Sequence, residues 1–112
     1  MTNVEAMQLI DNQLSHVWMV RTFLKHSEEA EEDDELAEVH RTLYDYAHAL
    51  GSASKAGDAD AYLKQAKKKL SKLKQATELF LEIQPEISSH TNFQMAAQSL
   101  RAAVTEIGEL LE

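Results

Sequence analysis

Apolar residues recur along this chain every three or four positions, the spacing that puts them on one face of an α-helix. Four such runs predict helices over residues of about 3–27, 34–50, 58–84 and 91–111, and hence an all-α protein. The apolar faces are Met7, Ile10, Leu14, Val17 and Leu24; Leu36, Val39, Leu43, Tyr46, Ala47 and Leu50; Tyr62, Leu63, Ala66, Leu70, Leu73, Ala76, Thr77, Phe80 and Ile83; and Phe93, Ala96, Ala97, Leu100, Ala103, Val104, Ile107, Leu110 and Leu111.

Residues that favour helix starts precede each run. Thr2 with Glu5 has the capping-box spacing, in which the two side chains bond each other's backbone N–H groups. The other expected N-caps have short oxygen-bearing side chains, which accept bonds from the free N–H groups of a first turn. They are Asp33 or Asp34, Asp58, and Ser89 or Thr91.

Glycine and proline predict where two of the helices end. Gly51 stands at the position that a C′ glycine takes, so residues 51–57 are expected to form a connection. Pro85 lacks a backbone N–H and disfavours helical geometry in the residue before it, which predicts a helix end near Gln84. Short connections between amphipathic helices favour antiparallel neighbours. We therefore expect residues 1–112 to form one up-down-up-down antiparallel four-helix bundle.

Composition narrows the class of protein. The chain has no cysteine, which excludes disulfides and thiolate chemistry, and its 3 glycines, 1 proline and 6% aromatics do not suit a turn-rich β fold. No apolar stretch approaches the roughly 18 residues of a membrane span, and no signal-peptide pattern is present. The expected location is therefore the cytoplasm, with no membrane contact.

The net charge of −8 is concentrated in one segment. Seven of the eight residues of 28–35 are acidic, whereas the rest of the chain carries 12 acidic and 11 basic residues. We call residues 28–35 the acidic segment. It is expected to be a solvated, mobile connection and a possible contact for a basic protein partner. The chain also has a lysine-rich stretch at 64–74, but it lacks interleaved aromatics, so nucleic acid is an unlikely partner.

Arg21 is unusual because it falls within the apolar face of the first predicted helix. If the helices pair as a hairpin, it lies level with His40, and His16 lies level with Tyr46. One interpretation is a pocket for a small anion or a metal ion built from Arg21, His16, His40 and Tyr46. The other is a structural role, in which Arg21 lies along the core edge and its tip reaches Glu35 or water.

The five histidines do not indicate a metal centre. Bundle di-iron sites use Glu-x-x-His on two helices. The nearest match here is a single copy with aspartate, in which Asp45 and His48 are expected to face solvent. We therefore predict neither a metal nor a cofactor.

Arg41 and His48 lie on one helix face with six residues between them. This spacing is similar to the Arg-x4–6-His pattern of helical HEPN-type ribonucleases, which would imply RNA processing across a dimer. Arg21 and His26 fit the same pattern, and Asp45 is an expected salt-bridge partner of Arg41.

Several large apolar residues lie outside the predicted core faces. Trp18, Met19 and Phe23 on the first helix and Met95 on the last are types enriched at protein interfaces. The leading hypothesis is a non-enzymatic interaction or oligomerisation module that forms a homodimer. The alternatives are the anion- or metal-binding bundle around Arg21 and, less favoured, the RNA-processing module.

Overall fold

The computed structural model describes all residues, Met1–Glu112, and contains five α-helices and no strand. The all-α prediction is confirmed, but there is one helix more than expected. The helices are α1 (Asn3–Lys25), α2 (Glu28–Glu32), α3 (Asp34–Ala56), α4 (Ala59–Ile87) and α5 (Thr91–Leu110). No helix combines the length and apolar character that a membrane span requires.

The four long helices pack around one core of an elongated molecule, 41 × 21 × 19 Å. α1 packs against α3 and α5, and α4 packs against the same two helices. A single cluster of 24 buried residues joins all five helices and contains most of the predicted apolar positions. Because each fully buried large side chain contributes about 1.5–3 kcal/mol, this cluster is the main source of stability.

Three predicted helix starts are confirmed. Thr2 Oγ1 accepts a 3.1 Å hydrogen bond from Glu5 N, and Glu5 Oε1 accepts one of 3.1 Å from Thr2 N. Asp33 and Asp58 accept from the backbone N–H groups of Leu36 at 2.9 Å and Ala61 at 3.1 Å. Each of these bonds joins residues only three positions apart, so the caps depend on local sequence alone.

The predicted helix boundaries leave residues 28–33 as a connection without a helix, which is wrong because α2 occupies Glu28–Glu32. Ser27 caps α2 by accepting from Ala30 N, and acidic side chains in a first turn interact favourably with the helix dipole. Ala30 is buried in the core cluster, which holds the short helix against the rest of the molecule. Asp33 both ends α2 and starts α3, so the acidic segment is ordered.

The predicted helix end at Gly51 is also wrong. α3 continues through residues 51–56 and ends at Gly57, whose φ of +67° lies in the left-handed region that glycine adopts without strain. Two contacts favour this longer helix: Ala53 packs against the core, and Ser54 Oγ donates a 2.7 Å hydrogen bond to Asp11 Oδ2. These tertiary contacts outweigh the roughly 1 kcal/mol helix penalty of Gly51.

α4 likewise extends past its predicted end at Gln84, with Pro85 inside the helix, and stops at Ile87. The last turn is stabilised by Gln84 Nε2, which donates a 2.8 Å hydrogen bond to the Ser88 carbonyl, and by packing of Ile87 against the core. The residue before a proline is only biased against helical geometry, and packing overrides that bias here.

The predicted N-cap of the last helix, Ser89 or Thr91, is wrong because His90 takes this position. His90 Nδ1 accepts a 3.0 Å hydrogen bond from Asn92 N. An imidazole nitrogen can serve as an acceptor in its neutral form, although capping rules based on hydroxyl and carboxylate side chains do not anticipate it.

Candidate functional site

Two aromatic rings and an arginine form a cluster where α1 meets α3. The guanidinium carbon of Arg21 lies 4.6 Å from the centroid of the Trp18 ring and 4.8 Å from that of Tyr44. The two rings are 5.8 Å apart at 40°, and the His48 ring stacks on Tyr44 at 5.5 Å and 10°. We call these four residues the aromatic–arginine cluster.

Helical spacing builds each half of the aromatic–arginine cluster. Trp18 and Arg21 are three residues apart on α1, and Tyr44 and His48 are four apart on α3, so each pair lies on one helix face. Packing of α1 against α3 brings the two pairs together. A guanidinium over an aromatic face is attracted by the negative charge density of the ring. The cation–π attraction of Arg21 to the Trp18 and Tyr44 rings therefore holds the two pairs together without a counter-ion.

The guanidinium of Arg21 has no ionic partner. No carboxylate lies within 4.0 Å of it, so the expected contact with Glu35 does not form, and its buried Nε has no hydrogen-bond partner. The stem lies along the core edge, as one of the two interpretations expected, while the charge rests on Trp18 and Tyr44. Arg21 is thus an oriented cation with unused hydrogen-bond donors.

Three other basic side chains surround this position. His40 is half-buried, and its pKa is lowered first by burial and then by the positive charges of Arg21, Arg41 and Lys25. Lys25 and Arg41 are exposed. We call Arg21, Lys25, His40 and Arg41 the basic group; Arg21, Lys25 and Arg41 give this surface a positive charge in a protein whose net charge is negative.

The proposed pocket residues do not all meet. Arg21 and His40 lie close enough to interact electrostatically, but His16 is exposed, and Tyr46 points into the core. The Tyr46 hydroxyl donates a 2.9 Å hydrogen bond to the Ala66 carbonyl, and burial raises its pKa above the ordinary value. Tyr46 is the only one of the four that lines either of the two main surface grooves.

The larger groove, of about 450 Å³, runs between α3 and α4. Glu38 and Asp45 line it from α3, and Lys69 and Lys72 line it from α4. Because its walls carry opposite charges, this groove has no excess of positive charge for an anion.

Arg41 and His48 do not form a joint site with Asp45. Arg41 Nη1 lies 3.9 Å from Glu38 Oε2, and this exposed contact replaces the expected pair with Asp45. His48 stacks on Tyr44 instead. No group of three or more histidine, aspartate or glutamate side chains is arranged to hold a metal ion.

A polar junction that the sequence pattern does not reveal joins three helices. Asp11 Oδ1 accepts a 2.6 Å hydrogen bond from the buried Tyr62 hydroxyl, and its Oδ2 accepts one from Ser54 Oγ. The pKa of Tyr62 is raised, first by burial and then by its bond to Asp11. The one available signal is Tyr62 itself, since a tyrosine on a core face usually needs a partner for its hydroxyl.

The four predicted interface residues lie in different surroundings. Trp18 is 40% exposed, Met19 64% and Met95 53%, whereas Phe23 is half-buried and packs edge-on against Phe93 at 5.0 Å. Trp18 and Met19 are adjacent on α1, but Met95 lines a second groove between α4 and α5. Five of the six exposed large apolar residues fall within residues 1–19. Exposed apolar surface is thus concentrated on α1 and on Met1, which precedes the N-cap Thr2.

The acidic segment makes no ion pair. The single salt bridge in the molecule is the Arg41–Glu38 contact, so none of the seven carboxylates lies within 4.0 Å of a basic nitrogen. Glu28, Glu31 and Glu32 are exposed. This segment is therefore an ordered anionic surface without a counter-charge of its own.

No protein-family model, curated protein or solved structure matches this chain.

Proposed function

We propose that this protein is a non-enzymatic interaction module that associates with a second copy of itself through the outer surface of α1 and α3. The observation that carries the proposal is the exposure of Trp18 and Met19 beside the half-buried Tyr44. Trp, Tyr and Met are enriched in interface cores, and Trp and Tyr are frequent hot spots. A pair of helices is a common surface for two-fold dimers.

The arrangement within each subunit that suits this role is an antiparallel four-helix bundle with α2 packed at one end. Two facts support it: each long helix packs most extensively against two of the others, and each connection between successive helices is three residues or shorter. Short connections favour antiparallel neighbours. In that arrangement α1 and α3 are adjacent and form one continuous outer surface.

Trp18 also differs from the aromatic side chains of the core in how little of it is covered. Tyr46 and Tyr62 are buried and use their hydroxyls within the molecule, and Phe93 is buried against Phe23. By contrast, Trp18 leaves a substantial part of its indole in water although it is fixed by Arg21 and Tyr44. A rigid, partly exposed aromatic loses little side-chain entropy when a partner covers it, which favours association.

The test measures oligomeric state against concentration by sedimentation velocity and by light scattering after gel filtration. We expect the parent to dimerise and the double variant Trp18→Ala/Met19→Ser to need at least about tenfold more protein, since hot-spot truncations remove roughly 1–4 kcal/mol of binding energy. Met95→Ser is the matched control, because it removes an exposed methionine beside the α4–α5 groove. A parent that stays monomeric up to its solubility limit would refute the proposal.

A further inference from the structure

Surfaces of opposite charge lie next to each other around the aromatic–arginine cluster. Lys25 ends α1, and Glu28 begins α2 three positions later. The acidic segment thus lies along the chain between Arg21 and Lys25 on one side and His40 and Arg41 on the other. Only the exposed Arg41–Glu38 contact, at 3.9 Å, pairs a member of the basic group with a carboxylate.

The two surfaces do not neutralise each other within one molecule. None of the carboxylates of residues 28–35 approaches Lys25, Arg21 or Arg41 within 4.0 Å. Folding holds them apart, because Ala30 ties α2 to the core and Asp33 is used in capping α3. The charges therefore remain available to a partner.

We propose that the acidic segment of one copy binds the basic group of a second copy, and that the reciprocal contact forms across a two-fold axis. This inference rests on the proposed self-association and names the residues that orient it. In a two-fold interface, a residue that contacts a second residue across the axis is contacted in return. Each subunit carries an acidic segment beside a basic group, so a two-fold axis can place the acidic segment of each subunit on the basic group of the other.

Arg21 is suited to such a contact because its position is set before binding. Trp18 and Tyr44 hold the guanidinium plane, and its terminal nitrogens have no carboxylate partner. A planar guanidinium can donate two parallel hydrogen bonds to one carboxylate, which gives directional as well as electrostatic recognition. Trp18 contacts Arg21 and is 40% exposed, so a partner segment bound at Arg21 would lie beside the indole, and the apolar and charged contacts would belong to one surface.

Charge reversal with mixing tests the inference. Lys25→Glu/Arg41→Glu makes both surfaces acidic, and Glu31→Lys/Glu32→Lys places lysines in the acidic segment; all four residues are exposed. Each double variant alone should dimerise at least about tenfold more weakly than the parent, because the first brings new carboxylates onto the acidic segment and the second brings lysines onto the basic group. Mixed in equal amounts, the two should form a heterodimer that is tighter than either homodimer, because one of its two contacts is parental and the other pairs the new lysines with the new glutamates.

The mixture also separates specific pairing from an effect of total charge. The two sets of substitutions are equal and opposite, so the heterodimer has the summed charge of the parental dimer. Glu31→Lys/Glu32→Lys, in contrast, carries less net negative charge than the parent. It would associate more strongly if repulsion between the net charges of the two subunits were decisive. Its weaker self-association is therefore a discriminating result.

Lys67→Glu/Lys68→Glu is the control, since it changes two exposed lysines of α4 and leaves the basic group intact. We expect it to dimerise within about twofold of the parent. If the parent dimerises and neither reversal weakens it, or if the mixture shows no heterodimer, the charge pairing is wrong while the proposed self-association stands. If the parent and the equimolar mixture both stay monomeric, the two proposals fail together.

Discussion

The hydroxyl of Tyr62 on α4 donates a 2.6 Å hydrogen bond to Asp11 on α1. The second oxygen of Asp11 accepts from Ser54 Oγ on α3 at 2.7 Å, so a single carboxylate joins three helices. Tyr62 is fully buried, and its hydroxyl would otherwise be a polar group without water. The junction therefore fixes the relative positions of α1, α3 and α4 while satisfying a buried donor.

Removing the Tyr62 hydroxyl should destabilise the protein more than removing that of Tyr46. Tyr62→Phe takes a hydrogen bond from a carboxylate and should lower the free energy of unfolding by about 1.5–3 kcal/mol. Tyr46→Phe takes one from the neutral Ala66 carbonyl and should cost about 1 kcal/mol. Urea unfolding followed by circular dichroism measures both. If both variants lost the same free energy of unfolding, the charge of the Asp11 acceptor would contribute nothing to stability.

The glycines of α3 should respond to alanine in opposite directions. Gly51 lies inside the helix, and an added Cβ meets nothing within 4 Å, so Gly51→Ala should stabilise by about 0.5–1 kcal/mol. Gly57 has a φ of +67°, and Gly57→Ala should destabilise by about 1–2 kcal/mol because a Cβ is strained there. Thermal and urea unfolding of the pair check this. A destabilised Gly51→Ala variant would mean that the helix does not continue through residue 51.

Arg21→Met tests the cation–π contact while keeping an apolar stem along the core edge. The expected loss is about 0.5–2 kcal/mol, together with a change in the near-ultraviolet circular dichroism of Trp18, the single tryptophan. Arg41→Met is the control. Its exposed contact with Glu38 should contribute at most about 0.5 kcal/mol and leave the tryptophan signal unchanged. Equal stability changes with no spectral difference would contradict a role for Arg21 in holding the indole.

Lowering the pH below 6.5 should reduce the stability of the folded protein through His40. Burial and neighbouring positive charges lower its pKa in the folded state, so below the ordinary value of 6.5 the unfolded chain binds more protons at this position. The contribution of His40 to stability is therefore present above pH 6.5 and is lost as the pH falls from there through the lowered value. Compared with His40→Gln, the parent should lose more stability between pH 7.5 and 5.0 when unfolding is measured in urea. Parallel pH profiles would overturn this expectation.

Residues 28–57 show why part of the fold could be predicted and part could not. Leu36, Val39 and Leu43 repeat at helical spacing, and all three are buried as expected. Ala30 is a single alanine among carboxylates and produces no periodic signal, yet its burial orders α2. A glycine at position 51 resembles a helix end locally, but the contacts of the turn that follows decide otherwise.

The candidate site, too, could be predicted only in part. Arg21 stood out because a charged residue occupies a core-facing position in the helical pattern. Its partners could not be inferred, because an interaction with Tyr44 depends on how α1 and α3 are rotated against each other. Asp11 was missed for the same reason: nothing near it in sequence indicates Tyr62 or Ser54, and the bonds exist only after three helices pack.

The all-α class, the buried face of each long helix and the caps at Thr2, Asp33 and Asp58 follow from the order of amino acids alone. These features depend on interactions among residues within a few positions of each other, which periodicity and side-chain chemistry describe directly. The presence of α2, the continuation of α3 and α4 past Gly51 and Pro85, and the contact of Arg21 with Tyr44 depend instead on how the helices pack. At Gly51 and Pro85, contacts between distant parts of the chain outweighed a local preference of about 1–3 kcal/mol.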